Sequence, residues 1–213
     1  ANAAGYLLGA LATPALMRRW GAARVLLGGA LLASVFMAAS GFFTDATMLL
    51  LQRLLAGVAS AFVFVAGGLL AARLGAQAPH RAGLLLGLYY GGTGWGITAS
   101  ALGVPALLNA AQGAPHAWAW AWWGLALACV LATAALWWPA RMLQKDELPA
   151  PARQALEADS AHKNGRTPLR AMWAAMTGYA LFGVGYIGYM TFVIALLREQ
   201  GVGAGAITLF YTL

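Results

Sequence analysis

A chain of 213 residues that is 62% hydrophobic and only 9% charged, with a mean hydropathy of +0.71, is not a soluble domain, because soluble domains carry ~25% charged residues. Its formal net charge of +7 would suit a nucleic-acid binder, but the basic residues sit in loops between apolar runs, which argues against nucleic acid as a partner. One cysteine, Cys129, excludes an internal disulfide, and three scattered histidines without CxxC, HExxH or clustered carboxylates give no metal or cofactor site.

The chain begins at Ala1 already inside an apolar segment and stops at Leu213 as another begins, so it reads as an internal piece of a longer protein. The first predicted span is roughly residues 2–17, followed by the basic turn RRWGAAR at 18–24. The second span covers about 25–43, and the short turn TDAT leads into the third, residues 47–74. The next loop, 72–81, carries Arg73, His80 and Arg81. A fourth span is expected at 82–104, a loop without Lys, Arg, Asp or Glu at 105–116, and a fifth span at 117–138. Residues 140–170 are polar. A sixth span follows at 171–197, a turn at 198–205, and a seventh span that is only begun.

The third span organises the chain. It reads TMLLLQRLLAGVASAFVFVAGGLLAARL, longer than the ~20 apolar residues a bilayer requires, and it contains one charge, Arg53. A charge at the centre of a membrane helix costs at least ~2.5 kcal/mol and usually faces a protein interior or a wet cavity. Alternatively, Arg53 lies about two turns inside the run and snorkels to the nearer headgroups. Gly57, Ser60 and Gly67 leave room beside it for a second helix to approach closely.

Loop charge sets an orientation. If the spans alternate, loops 18–24, 72–81 and 140–170 share one side and hold eleven of the thirteen Lys and Arg residues. The positive-inside rule places that side in the cytoplasm. Trp118, Trp120, Trp122 and Trp123 mark one end of the fifth span, and Trp137 and Trp138 the other. From Trp118 to Trp137 is ~28 Å of helix at ~1.5 Å per residue, which matches a hydrocarbon core of ~30 Å. Residues 140–170 mix both charge signs with Pro149 and Pro151 and read as a solvated tether, with RQALEAD at 153–159 able to form a short surface helix.

Gly183, Gly185 and Gly188 spell GxGxxG, but inside a membrane span rather than between a strand and a helix, so no dinucleotide site follows. GVGAGA at 201–206 lacks a phosphate-binding lysine. In the fourth span Gly83, Gly87 and Gly91 repeat every four residues, and Gly92 and Gly96 make a second such pair. That spacing puts small residues on one face, where another helix is expected to pack; a direct transport role stays open beside it.

These features in this order resemble the major facilitator superfamily. LMRRWGAAR resembles that superfamily's loop between its second and third helices, with Arg19 and Gly21 at the matching positions, Arg18 where an acidic residue belongs, and alanines where basic residues are common. QRLLAGVASA resembles its fourth-helix motif on Arg53 and Gly57. GGTGWG resembles the fifth-helix motif of exporters, with Gly92 in place of its proline, so no direction of transport is assigned. NAAGYLLGALA and GYALFGVGYIGYMTF look like the YbfB/YjiJ-like branch, a branch mostly without assigned substrates.

The resemblance implies an all-α, polytopic transmembrane helix bundle, major-facilitator-like and incomplete, spanning about the second helix to the start of the eighth. Residues 1–139 would be an N-terminal bundle lacking its first helix, 140–170 a cytoplasmic linker, and 171–213 the start of a C-terminal bundle. It implies secondary transport of a small solute by alternating access across a bacterial cytoplasmic (inner) membrane, with the solute near the midplane. The candidates for the cavity wall are Arg53, Trp95, Tyr186 and Tyr189. Trp95 could equally be a core or lipid-facing ring, and the tyrosines could be packing residues. No Asp or Glu lies at membrane depth, so any coupling proton is carried by the solute or by helices outside this sequence. No cofactor is expected. A membrane-embedded non-transport subunit or enzyme, and a channel, are the alternatives; the first would need a polar constellation at depth and the second rings of charge or carbonyl dipoles.

Overall fold

A computed structural model describes residues 1–145 and 169–212, which are entirely helical apart from turns. The helices are α1 (Asn2–Trp20), α2 (Ala22–Ala39), α3 (Ala46–Gln77), α4 (Ala82–Ala110), α5 (Ala117–Lys145), α6 (Leu169–Glu199) and α7 (Ala204–Thr212), with a 3-10 turn at Pro79–Arg81 before α4. They fall into two compact units, Ala1–Arg153 and Gln154–Leu213.

In the first unit α3 is the axis. Helices α1, α2 and α4 pack against it, and α5 packs against α2 and α4. The boundaries follow local chemistry. Asp45 caps α3, its Oδ2 accepting from the Met48 N–H at 2.9 Å, which satisfies one of the orphan donors of the first turn. Only Gly21 separates α1 from α2, and its φ of 89° is one that a side chain would strain. At the same end Arg24 of α2 reaches α5: with the Gln144 amide oxygen facing the guanidinium, Arg24 Nε and Nη2 donate at 2.6 and 2.9 Å.

The helices are inside-out relative to a soluble protein. The buried positions are mostly small, such as Gly5, Gly9, Ala59, Ala61 and Ala66, while Leu7, Leu11, Leu84 and Leu88 point outward. Lipid tails are as apolar as leucine, so association rests on close backbone approach rather than on hiding large side chains. By length and composition, α2, α3 and residues Ala117–Gln144 of α5 can each cross a membrane. Helix α4 matches α5 in length at 29 residues, but its glycines, Tyr89, Tyr90 and Trp95 dilute its apolar character. The chain is an integral membrane protein.

Two expected boundaries move. Pro105, expected in a loop, lies inside α4, which runs on to Ala110 and shortens the loop to a few residues around Gly113 and His116. Residues 140–145, expected in the tether, continue α5. Residues 146–168, including RQALEAD, lie outside the described ones. In the second unit GxGxxG sits in the body of α6, and Gly201, with φ 75°, turns the chain into α7.

Candidate functional site

Arg53 is the eighth residue of the 32-residue α3, so it stands about 13 Å from that helix's midpoint at ~1.5 Å per residue. It is therefore nearer the α2–α3 turn than the middle of α3. Its side chain reaches across to α5 and to Ser40, just past the end of α2. The guanidinium lies over the Trp122 ring of α5, 4.1 Å from the centroid, and its Nη2 donates to Ser40 Oγ at 3.4 Å. Among the described residues it pairs with no carboxylate. A guanidinium over tryptophan is worth roughly 0.5–2 kcal/mol, the more so away from water.

Ser40 and Gln52 complete the cluster. Ser40, 1% exposed, donates to the Phe36 carbonyl at 3.0 Å and accepts from Gln52 Nε2 at 2.8 Å. Gln52, 5% exposed, also donates from Nε2 to the Phe36 carbonyl. The Gln52 Oε1 atom is buried without a partner. Beside the cluster Trp123 packs against the backbone of Gly41, leaving no room there for a methyl group, and against Phe42.

Two cavities border Arg53 and Ser40. One, of about 190 Å³, is lined among others by Asn2, Gln52 and Ser60. The other, of about 410 Å³, is lined by Phe43, Thr44, Leu49, Trp118 and Trp122. Thus Arg53 divides a polar chamber between α1, α2 and α3 from an aromatic one against α5. Among the described residues no group of His, Cys, Asp and Glu is placed to hold a metal.

The remaining sequence candidates are not brought to this cluster. Trp95 lines neither cavity and is 77% exposed on α4. Tyr186 and Tyr189 belong to the second unit, where Tyr186 stacks on Phe182 at 6.0 Å and Tyr189 meets Phe210 at 6.4 Å. Arg19 lies at the far end of α1 from Asn2, 5.8 Å from the centroid of the Trp20 ring.

The glycines divide. Gly57 packs so tightly on α1 that a methyl group there would run into the Asn2 carbonyl, and the Ser60 hydroxyl donates to the Gly57 carbonyl at 2.8 Å. Gly87, Gly91 and Gly96, expected to pack against another helix, face open space: a Cβ at any of them meets nothing within 4 Å among the described residues. What reaches α3 from α4 is instead an aromatic edge. Tyr89 fits over Gly67, donates to the Phe64 carbonyl at 2.7 Å, and joins Phe64, Tyr90 and, through Phe64, Tyr6 of α1.

Sequence reading singled out Arg53 but missed its surroundings. Gln52 was legible as a second polar residue in the same span. By sequence Trp122 belongs to an interfacial belt, yet it turns inward while Trp118 and Trp120 stay exposed. The Gly5–Gly9–Thr13 spacing of α1, the true partner of Gly57's face, carried the same four-residue signal as the α4 ladder.

Neither curated proteins nor solved structures show a significant match to the chain. A family described as "Uncharacterised MFS-type transporter YbfB" matches residues 1–213. The branch resemblance, the all-helical membrane architecture and the assignment as a transporter rather than an enzyme agree with that match. The chain belongs to this family of major facilitator transporters, integral proteins of the bacterial cytoplasmic membrane.

Proposed function

We propose that the chain carries out secondary transport of a small solute by alternating access, and that Arg53 contacts the solute. One observation carries this reading: the guanidinium is held inside the first unit by Ser40 and Trp122 and borders two cavities, with no protein carboxylate among the described residues to neutralise it. Arginine keeps its charge at any accessible pH and presents five donors in a planar fork, of which one is committed to Ser40. Tyr186, Tyr189 and Trp95 remain candidate contacts from other parts of the route. Loops 18–24 and 72–81 face the cytoplasm in this reading, which puts the Arg53 cavities toward the outer face.

The test uses everted membrane vesicles carrying the full-length protein, incubated with filtered cell extract with and without an imposed pH gradient. Mass spectrometry of the washed vesicles then compares wild type, Arg53→Lys, Arg53→Ala and empty vesicles at matched expression. At least one small solute is expected to change its vesicle content in wild type only, with both variants reduced about tenfold or more, equivalent to ~1.4 kcal/mol. Dependence on the gradient identifies proton coupling. No solute distinguishing wild type from empty vesicles would refute transport; near-normal transport by Arg53→Ala would remove Arg53 from it.

A further inference from the structure

The two cavities differ in chemistry but meet at one cation, and that arrangement selects a class of solute. We infer that the solute is an organic carboxylate with an aromatic or apolar body and a hydrogen-bond donor next to the carboxylate, as in a 2-hydroxy or 2-amino acid. This deepens the transport reading above and rests on Arg53 being the solute contact.

The polar chamber has one saturated member and two unsaturated ones. Ser40 gives its proton to Phe36 and receives donors from Gln52 and Arg53, so it has little capacity left for a ligand. Arg53 has most of its donors uncommitted, and its fork matches the two oxygens of a carboxylate. Gln52 is the opposite case. The Phe36 carbonyl requires the amide nitrogen on its side, which fixes the Oε1 atom as the free end, and that atom is buried with no donor. A buried acceptor left unpaired costs ~1–3 kcal/mol. Consecutive residues thus ask for an acceptor and for a donor. A neutral molecule leaves the charge of Arg53 uncompensated, and an anion without a donor leaves Gln52 Oε1 unpaired.

Size separates head from body. The polar chamber, about 190 Å³, has room for roughly six waters at ~30 Å³ each, which is the scale of a headgroup. Drug-sized ligands need ~300 Å³ or more. The second chamber, about 410 Å³ and walled by Phe43, Leu49, Trp118 and Trp122, offers the aromatic surface a ring stacks on. Trp122 serves both, since its face also carries the guanidinium.

The experiment is calorimetric titration of the purified full-length protein with 3-phenyllactate, 3-phenylpropionate, lactate, 2-phenylethanol and inorganic phosphate. Phenyllactate is expected to bind at least about tenfold more tightly than each of the others, since every other probe lacks the hydroxyl, the ring or the carboxylate. Gln52→Leu should bring phenyllactate down to the affinity of phenylpropionate measured on the same variant, erasing the hydroxyl's advantage. The wild-type ranking stands without any variant, should Gln52→Leu fail to fold. Equal binding of phenylpropionate and phenyllactate, equal binding of 2-phenylethanol, or phosphate binding as tightly as the acids overturns the inference. Failure of the two readings is separable. Acids that bind but do not move into proteoliposomes under an imposed gradient overturn transport and leave the class standing. Arg53-dependent transport of another solute, with none of these acids binding, overturns the class and leaves transport standing.

Discussion

Two glycine-rich faces of the first unit use the same residue at the same spacing and do opposite things. Along α1 and α3, Gly5 lies against the Leu54 backbone, Gly57 against Asn2, and a Cβ on Gly9 would come within 2.7 Å of the Val58 carbonyl oxygen. Along α4, a Cβ on Gly83, Gly87 or Gly91 would meet nothing within 4 Å among the described residues. A four-residue glycine repeat therefore states only that a face is flat. Whether a helix occupies it depends on a complementary face, and Ala59, Ala61 and Gly57 on α3 supply one for α1 and α2. Helix α4 approaches α3 on tyrosine instead.

The strongest way to break this contrast is to fill the seam. Gly5→Leu and Gly57→Leu put side chains against backbone atoms that cannot rotate aside. Overpacking usually costs ~1–3 kcal/mol, occasionally more, and backbone-on-backbone contact places these at the upper end. Each is expected to abolish most of the monodisperse yield in detergent. A wild-type yield and thermal midpoint for both variants would show that α1 and α3 are not in contact there.

Much of the fold was readable because a membrane helix announces itself by length and apolarity, and α3 was found almost to its ends. Two boundaries failed for a shared reason: proline and charge mark where helices often stop, yet Pro105 and Arg141 are carried inside long helices. Arg53 was legible as a charge out of place. Beyond Gln52, next to it in the same span, its cluster was not, because Ser40 stands just past the end of α2 and Trp122 on α5, and Trp122 looks in sequence like its belt neighbours Trp118 and Trp120. Which glycine face is occupied was equally hidden, since occupancy is a property of the pair of helices.

A middle-sized test sharpens the contrast by probing how α4 does reach α3. Gly67→Ala pushes on the Tyr89 ring, whose hydroxyl oxygen would be 2.8 Å from the new Cβ, while Tyr89→Phe removes the 2.7 Å bond to the Phe64 carbonyl. A net hydrogen bond is worth ~0.5–1.5 kcal/mol, and the Phe64 carbonyl, inside a helix, keeps its backbone partner, so the lower end applies. Each variant is expected to lower the thermal midpoint by about 1–4 °C. Because both act through Tyr89, the double variant should cost clearly less than the two singles added. Strict additivity would mean that the alanine acts elsewhere than on the Tyr89 contact.

The smallest effect is expected where the glycines are open. Gly87→Leu and Gly91→Leu add bulk on an exposed face where a Cβ meets nothing within 4 Å among the described residues. Substitutions at such positions usually stay within about ±0.5 kcal/mol, and replacing glycine in a helix restores up to ~1 kcal/mol of propensity. Yield and thermal midpoint should therefore equal or slightly exceed wild type, in contrast to Gly57→Leu. A collapse in yield would show that this face is packed in the folded protein and would erase the distinction between the two glycine faces. Transport measured on the same preparations divides the remaining cases. Normal transport with normal folding makes the α4 face a lipid surface throughout the cycle. Lost transport with normal folding makes it a surface that stays open in one state and must close in another, which is a use of glycine that the permanently occupied α1–α3 seam cannot serve.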